Sequence, residues 1–86
     1  MPELSHFYGI IIKMYFGDHL PPHFHAQYGS SEAIINITTL AVIDGDLSPR
    51  ALGLVTEWAA LHQAELKTAW QKAKNLEHPD KIEPLP

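Results

Sequence analysis

The chain has no cysteine and a single arginine, Arg50. Without cysteine there are no disulfides, no thiolate metal ligands and no thiol nucleophile. That composition fits a reducing compartment. Six Lys and Arg stand against ten Asp and Glu, for a formal charge of −4. Phosphate backbones are gripped by Lys and Arg, so a broad nucleic-acid platform is excluded. Nucleic acid is expected only through a complex. Lys67, Lys72 and Lys74 are the one local basic concentration. No apolar run approaches the roughly 20 residues of a membrane span. The segment Met1 to His6 lacks the basic, apolar and small-residue regions of a signal peptide. The protein therefore reads as soluble and cytoplasmic, with no membrane partner. Its 86 residues allow one domain, expected over 1–75. An extended tail, 76–86, holds three prolines and could dock through Ile82 and Leu85.

Histidine is what the chain has in concentration. Three of its six histidines fall within Asp18-His19-Leu20-Pro21-Pro22-His23-Phe24-His25. Imidazole suits both metal ligation and proton transfer near neutral pH. Two adjacent prolines fix φ and stiffen the loop between His19 and His23.

Phe7 to Phe16 is rich in β-branched and aromatic residues and predicts a first strand. It would set Ile10, Ile12, Met14 and Phe16 against Gly9, Ile11, Lys13 and Tyr15. His23 to Tyr28 predicts a second strand, with Phe24, Ala26 and Tyr28 on one face and His23, His25 and Gln27 on the other. Gly29-Ser30-Ser31 predicts a turn and Glu32 to Ile37 a third strand. Leu40 to Ile43 predicts a short fourth, ended by a turn at Asp44-Gly45.

Ser48-Pro49 predicts a helix start, with serine as cap and proline at the first helical position. Ala51, Val55, Trp58, Leu61, Leu66, Ala69, Trp70 and Ala73 recur at helical spacing and predict one long amphipathic helix to about residue 74 or 75. The expected fold is α+β: a three- or four-stranded antiparallel sheet, one face covered by the helix and the other open. Trp58, Trp70, Phe16 and Phe24 are expected in the core. His62 falls inside the apolar stripe, with Glu65 as its natural partner. If Phe24, Ala26 and Tyr28 face the helix, His62 cannot join His23 and His25 within one subunit; it could join them only with the second strand flipped or from another subunit.

Several readings of the histidines are open. As metal ligands, His19, His23 and His25 with Asp18 or Glu32 could hold zinc, with one coordination position left for water. As acid–base groups, His19, His23 and His25 could act on RNA, with Lys13 stabilising an anion. As structural groups, the imidazoles would hydrogen-bond the loop backbone and pack beside Tyr15. The open face also reads as an association surface, half apolar, with Tyr15, His23, His25, Gln27 and Ile34 as the contact residues.

The runs Phe7-Tyr8-Gly9-Ile10-Ile11-Ile12 and Asp18-His19-Leu20-Pro21-Pro22-His23-Phe24-His25-Ala26 resemble the small bacterial family called domain of unknown function 4160. The resemblance continues through Glu32-Ala33, Arg50-Ala51-Leu52, Glu57-Trp58-Ala59, Leu61-His62, Trp70 and Lys81-Ile82-Glu83-Pro84-Leu85. It implies a stand-alone bacterial domain paired with a second small protein, of the family called domain of unknown function 2442, in a toxin–antitoxin-like arrangement. It implies no activity and no catalytic residues. The leading expectation is thus a protein-interaction component of a two-gene module, bound to that partner or to itself as a homodimer, and without a cofactor. The alternative is a histidine-cluster enzyme, either a zinc-dependent hydrolase or a small ribonuclease.

Overall fold

Tyr8 and Gly9 both adopt positive φ, 51° and 80°, and fold the chain back on itself. Two consecutive left-handed residues match the twist of a two-residue hairpin. The turn joins β1 (Glu3–Phe7) to β2 (Ile10–Lys13), with Phe7 opposite Ile10. The single strand expected over 7–16 is thereby corrected to a hairpin that begins earlier and ends at Lys13. Tyrosine seldom adopts positive φ, so only Gly9 signalled the turn. A Cβ at Gly9 would stand 3.3 Å from the Tyr28 ring, which covers the turn.

The computed structural model describes residues 3–86; residues 1 and 2, where the expected domain starts, lie outside the described part. β3 (His23–Tyr28) and β4 (Ser31–Asn36) are joined at Gly29, whose φ is 60°. β5 (Val42–Gly45) completes the sheet. The strand order is β1-β2-β3-β4-β5, and every neighbouring pair is antiparallel. The described residues thus form five strands, against the three or four expected. The additional one is β1, whose Glu-Leu-Ser-His-Phe sequence carries no strong strand pattern.

Helix α1 (Pro49–Leu61) starts as expected: the Ser48 hydroxyl accepts the Ala51 N–H at 3.3 Å, and proline opens the first turn. The single long helix is corrected to two, because the chain leaves helical geometry at His62 (φ −122°, ψ 25°) before α2 (Gln63–Lys74). Two anchors account for the bend. Trp58 is fully buried against the sheet, while the Gln63 amide donates to the Ile37 and Thr38 carbonyls at 2.8 and 2.9 Å. Leu61, expected in the apolar stripe, is turned outward and is 67% exposed.

Helix α1 covers one sheet face. Ile10, Ile12, Phe24, Ala26, Ala33 and Ile35 are buried there with Val55, Trp58 and Ala59. The Trp58 indole lies 5.5 Å from the Phe7 ring and 5.9 Å from the Phe24 ring, centroid to centroid. Phe16, expected in the core, is instead 39% exposed, its ring edge-on to His78. It follows the end of β2, so the strand alternation no longer governs it. The tail docks: Ile82 and Leu85 are buried, Ile82 N–H donates to the Leu4 carbonyl, and Trp58 Nε1–H donates to the Glu83 carbonyl, both at 2.8 Å. Among the described residues no helix is long and apolar enough to cross a membrane.

Candidate metal centre

The β3 alternation decides where the histidines point. Phe24 and Ala26 pack toward α1, so His23 and His25 project from the second face. Antiparallel pairing places Lys13 and Ile34 opposite His25, and Asn36 opposite His23. This is the face expected for them. Their exposure is not: His23 is 3% and His25 9% exposed, so neither can serve as an open contact residue.

Two elements account for this burial. The segment between β2 and β3 folds back over the sheet, with the Tyr15 ring edge-on to His25 at 4.4 Å between centroids. The end of α2 reaches the same place, with the Trp70 indole 5.2 Å from the His23 ring. Gly17 N–H donates to the Ala73 carbonyl at 3.0 Å and ties the two elements together.

Asp18 enters this enclosure from the loop. Its Oδ1 accepts the His19 N–H at 2.9 Å. Its Oδ2 faces His23 Nε2 at 2.8 Å and His25 Nε2 at 3.4 Å. One donor atom from each of Asp18, His23 and His25 lies within 4.8 Å of the others. His23 Nδ1 is 2.7 Å from the Pro21 carbonyl oxygen, which only accepts hydrogen bonds, so Nδ1 carries a proton. The opposite nitrogen, Nε2, meets a carboxylate oxygen that also only accepts. His23 is thereby held at both ring nitrogens by oxygen atoms.

Burial pushes the Asp18 carboxyl up, but four effects together outweigh it. They are the His19 N–H bond, the His23 hydrogen bond, the His23 charge and the His25 hydrogen bond, and they hold the carboxyl below its ordinary value of 3.8. The lowered value favours the ionised carboxylate of Asp18 facing the two imidazoles.

The other expected residues fall outside it. His19, expected with His23 and His25, has a side chain that is 87% exposed and only approaches Asp18 Oδ1 at 3.8 Å. Its Nδ1 turns to the Leu20 carbonyl at 3.2 Å. Glu32 stands on the far side of the His25 ring, 3.8 Å from Nδ1, rather than with Asp18. His62 pairs with Glu65 at 2.6 Å and lies over Trp58, as its helical position predicts, and joins none of the other histidines. The backbone bond from His23 and the packing of Tyr15 on His25 also match the structural reading of the histidines. The same contacts orient ligands, so they favour neither reading alone. Sequence reasoning missed Trp70, which it placed only in the core. Nothing local to residue 70 signals that its ring meets His23.

A family model described as a domain of unknown function (DUF4160) matches residues 9–71, a span that includes the Asp18–His25 segment and α1. No curated protein and no solved structure matches the chain.

Proposed function

The chain belongs to the DUF4160 family, whose description specifies no activity, and from the geometry we propose that Asp18, His23 and His25 form a divalent-metal centre serving a hydrolytic enzyme. The observation that carries this reading is the convergence of His23 Nε2 and His25 Nε2 on one Asp18 oxygen, with the other His23 nitrogen already bonded to the Pro21 carbonyl. Metal-ligating histidines commonly donate their second N–H to a carbonyl or carboxylate, which fixes ring and tautomer. Two imidazoles and one carboxylate suit zinc and neighbouring first-row ions, and disfavour magnesium and calcium, which prefer all-oxygen sites.

Asp18, His23 and His25 would hold the ion, which would supply Lewis acidity toward water or a substrate oxygen. The chain's own residues define the surroundings. Tyr15 and Trp70 limit water around the two imidazoles and hold the rings in place. Lys13, opposite His25 in the β2–β3 pair, brings positive charge to the same face, where an anionic substrate or transition state would gain most. A metal-free ribonuclease is less well supported. Its acid and base would have to act from opposite sides of the scissile bond, whereas both imidazoles face the same carboxylate oxygen.

The test is metal analysis of protein purified without a histidine tag and equilibrated with zinc. One ion per chain, lost in His23→Ala and His25→Ala, supports the centre. Hydrolysis of aryl esters or phosphodiesters by the loaded protein, absent in both variants, supports the enzyme. A folded protein that takes up no ion rejects both.

A second reading, association through the sheet face, keeps one supporting observation. Tyr15, Ile11, Gln27 and Ile34 are all part-exposed on or beside that face. A small partner protein of the kind the family resemblance implies would contact these residues, with His23 and His25 beneath rather than within the contact. Co-expression with a genomic neighbour followed by size-exclusion chromatography tests it; separate peaks at micromolar concentration count against it.

A further inference from the structure

The two buried imidazoles differ in one respect. His23 has an acceptor for each nitrogen: Pro21 oxygen at Nδ1 and Asp18 oxygen at Nε2. His25 Nε2 faces Asp18, but its Nδ1 is buried with no hydrogen-bond partner among the described residues. Buried ring nitrogens are seldom left so, and an exception calls for a physical reason.

The acceptor closest to hand is Glu32, whose Oε2 lies 3.8 Å from His25 Nδ1, just outside hydrogen-bond range. Glu32 pairs with Gln27 across β3 and β4, which puts it diagonally beside His25 on the same face. Its backbone is held firmly, since the Glu32 carbonyl accepts the Asp46 N–H at 3.1 Å. Its side chain is 44% exposed, so a change of rotamer can shorten the gap without displacing the core.

We infer that Glu32 is the outer-sphere carboxylate of the centre, a positioning residue that accepts the His25 Nδ1–H when a metal ion takes Nε2. The inference rests on the metal reading above. The reason is proton inventory. An imidazole that gives Nε2 to a metal keeps its one remaining proton on Nδ1. In His23 that proton already has Pro21. In His25 it would point at the Glu32 carboxylate, which would close to ordinary hydrogen-bond distance and make the imidazole a better electron donor. Asp18, His23 and His25 would bind the ion, and Glu32 would set how tightly His25 holds it.

The experiment is zinc titration of the full chain against a chromophoric chelator, for wild type, Glu32→Gln and Glu32→Ala, with Glu65→Ala as a remote control. Removing such a partner commonly weakens metal affinity about 10- to 100-fold. That loss is expected for Glu32→Ala, a smaller one for Glu32→Gln, and none for Glu65→Ala. Imidazole ¹⁵N–¹H spectra supply a readout that general destabilisation would not move: zinc-loaded wild type should show a protonated, hydrogen-bonded His25 Nδ1, shifted in the Glu32 variants. Should wild type bind zinc while both Glu32 variants bind equally well with an unchanged His25 spectrum, the role of Glu32 is overturned and the metal centre stands. Should folded wild type bind no zinc, the metal reading fails and this inference with it.

Discussion

The imidazole of His23 and the indole of Trp70 stand 5.2 Å apart, centroid to centroid, and this contact joins β3 to the end of α2. A residue of the proposed centre thus shares a face with one of the two tryptophans in the chain. An ion bound at His23 would change the charge beside that indole.

Zinc addition is therefore expected to alter tryptophan emission in a saturable way. The change should be absent in His23→Ala and strongly reduced in Trp70→Phe. A response of equal size in Trp70→Phe would assign it to Trp58, which lies in the core on the other face, and would contradict local binding.

Metal binding should also raise thermal stability. An ion that binds only the native state adds about 2.7 kcal/mol at 100 times its dissociation constant. For a domain of this size each kcal/mol moves Tm by about 4–8 °C. Differential scanning fluorimetry with excess zinc should show an upward shift in wild type and none in Asp18→Asn.

Asp18 makes the ion-free protein acid-sensitive in a defined direction. Its folded-state pKa lies below the ordinary 3.8. A carboxylate depressed on folding contributes stability that is fully present above the unfolded value and is lost as pH falls through the folded one. Asp18→Asn should therefore be less stable than wild type at pH 6, and the difference should shrink below about pH 4. Urea unfolding at several pH values measures this. A constant difference down to pH 2 would argue against a charged Asp18 in the fold.

Gly45 ends β5 with φ of 76°, and a Cβ there would collide with the Glu32 carbonyl oxygen. Gly45→Ala should destabilise by about 1–3 kcal/mol from backbone strain, with the collision added. Because the displaced strand carries Glu32, zinc affinity should fall as well. Chemical denaturation and the chelator titration measure the two effects separately.

The tail is expected to be structural. Ile82 is 5% exposed, and its N–H bonds Leu4 on β1, an edge strand of the sheet. Ile82→Ala should cost about 2–5 kcal/mol. Deleting residues 82–86 should additionally expose the β1 edge and promote self-association. Light scattering of the truncated chain checks the second outcome.

Local pattern made much of this legible. Alternation in His23–Tyr28 is enough to place Phe24 and Ala26 opposite His23 and His25, because successive side chains on a strand must point to opposite faces. Ser48-Pro49 marks the start of α1 for an equally local reason, a cap and a preset φ. Helical spacing placed His62 beside Trp58 and Glu65. The Tyr8-Gly9 turn was not legible, because its left-handed tyrosine contradicts local preference and is held by contacts from distant Tyr28 and Pro86. The bend at His62 was hidden for the same kind of reason. The apolar repeat runs on through it, and the anchors at Trp58 and Gln63 lie on the sheet and in the loop that follows β4.

By itself the sequence determined the α+β class and the family resemblance, and singled out Asp18–His25 as the segment to look at, without deciding between a site and a packed turn. The class follows from periodicity and residue type, which act over a few neighbouring positions, and the family from the resemblance of whole motifs. Only the tertiary structure decided which groups of that segment meet: Asp18 with His23 and His25, and not His19. It also decided that the pair is buried, because Trp70 and the Gly17–Ala73 bond bring α2 over them from about 50 residues away. Convergence and burial are relations between elements distant in the chain, and no local spacing encodes them.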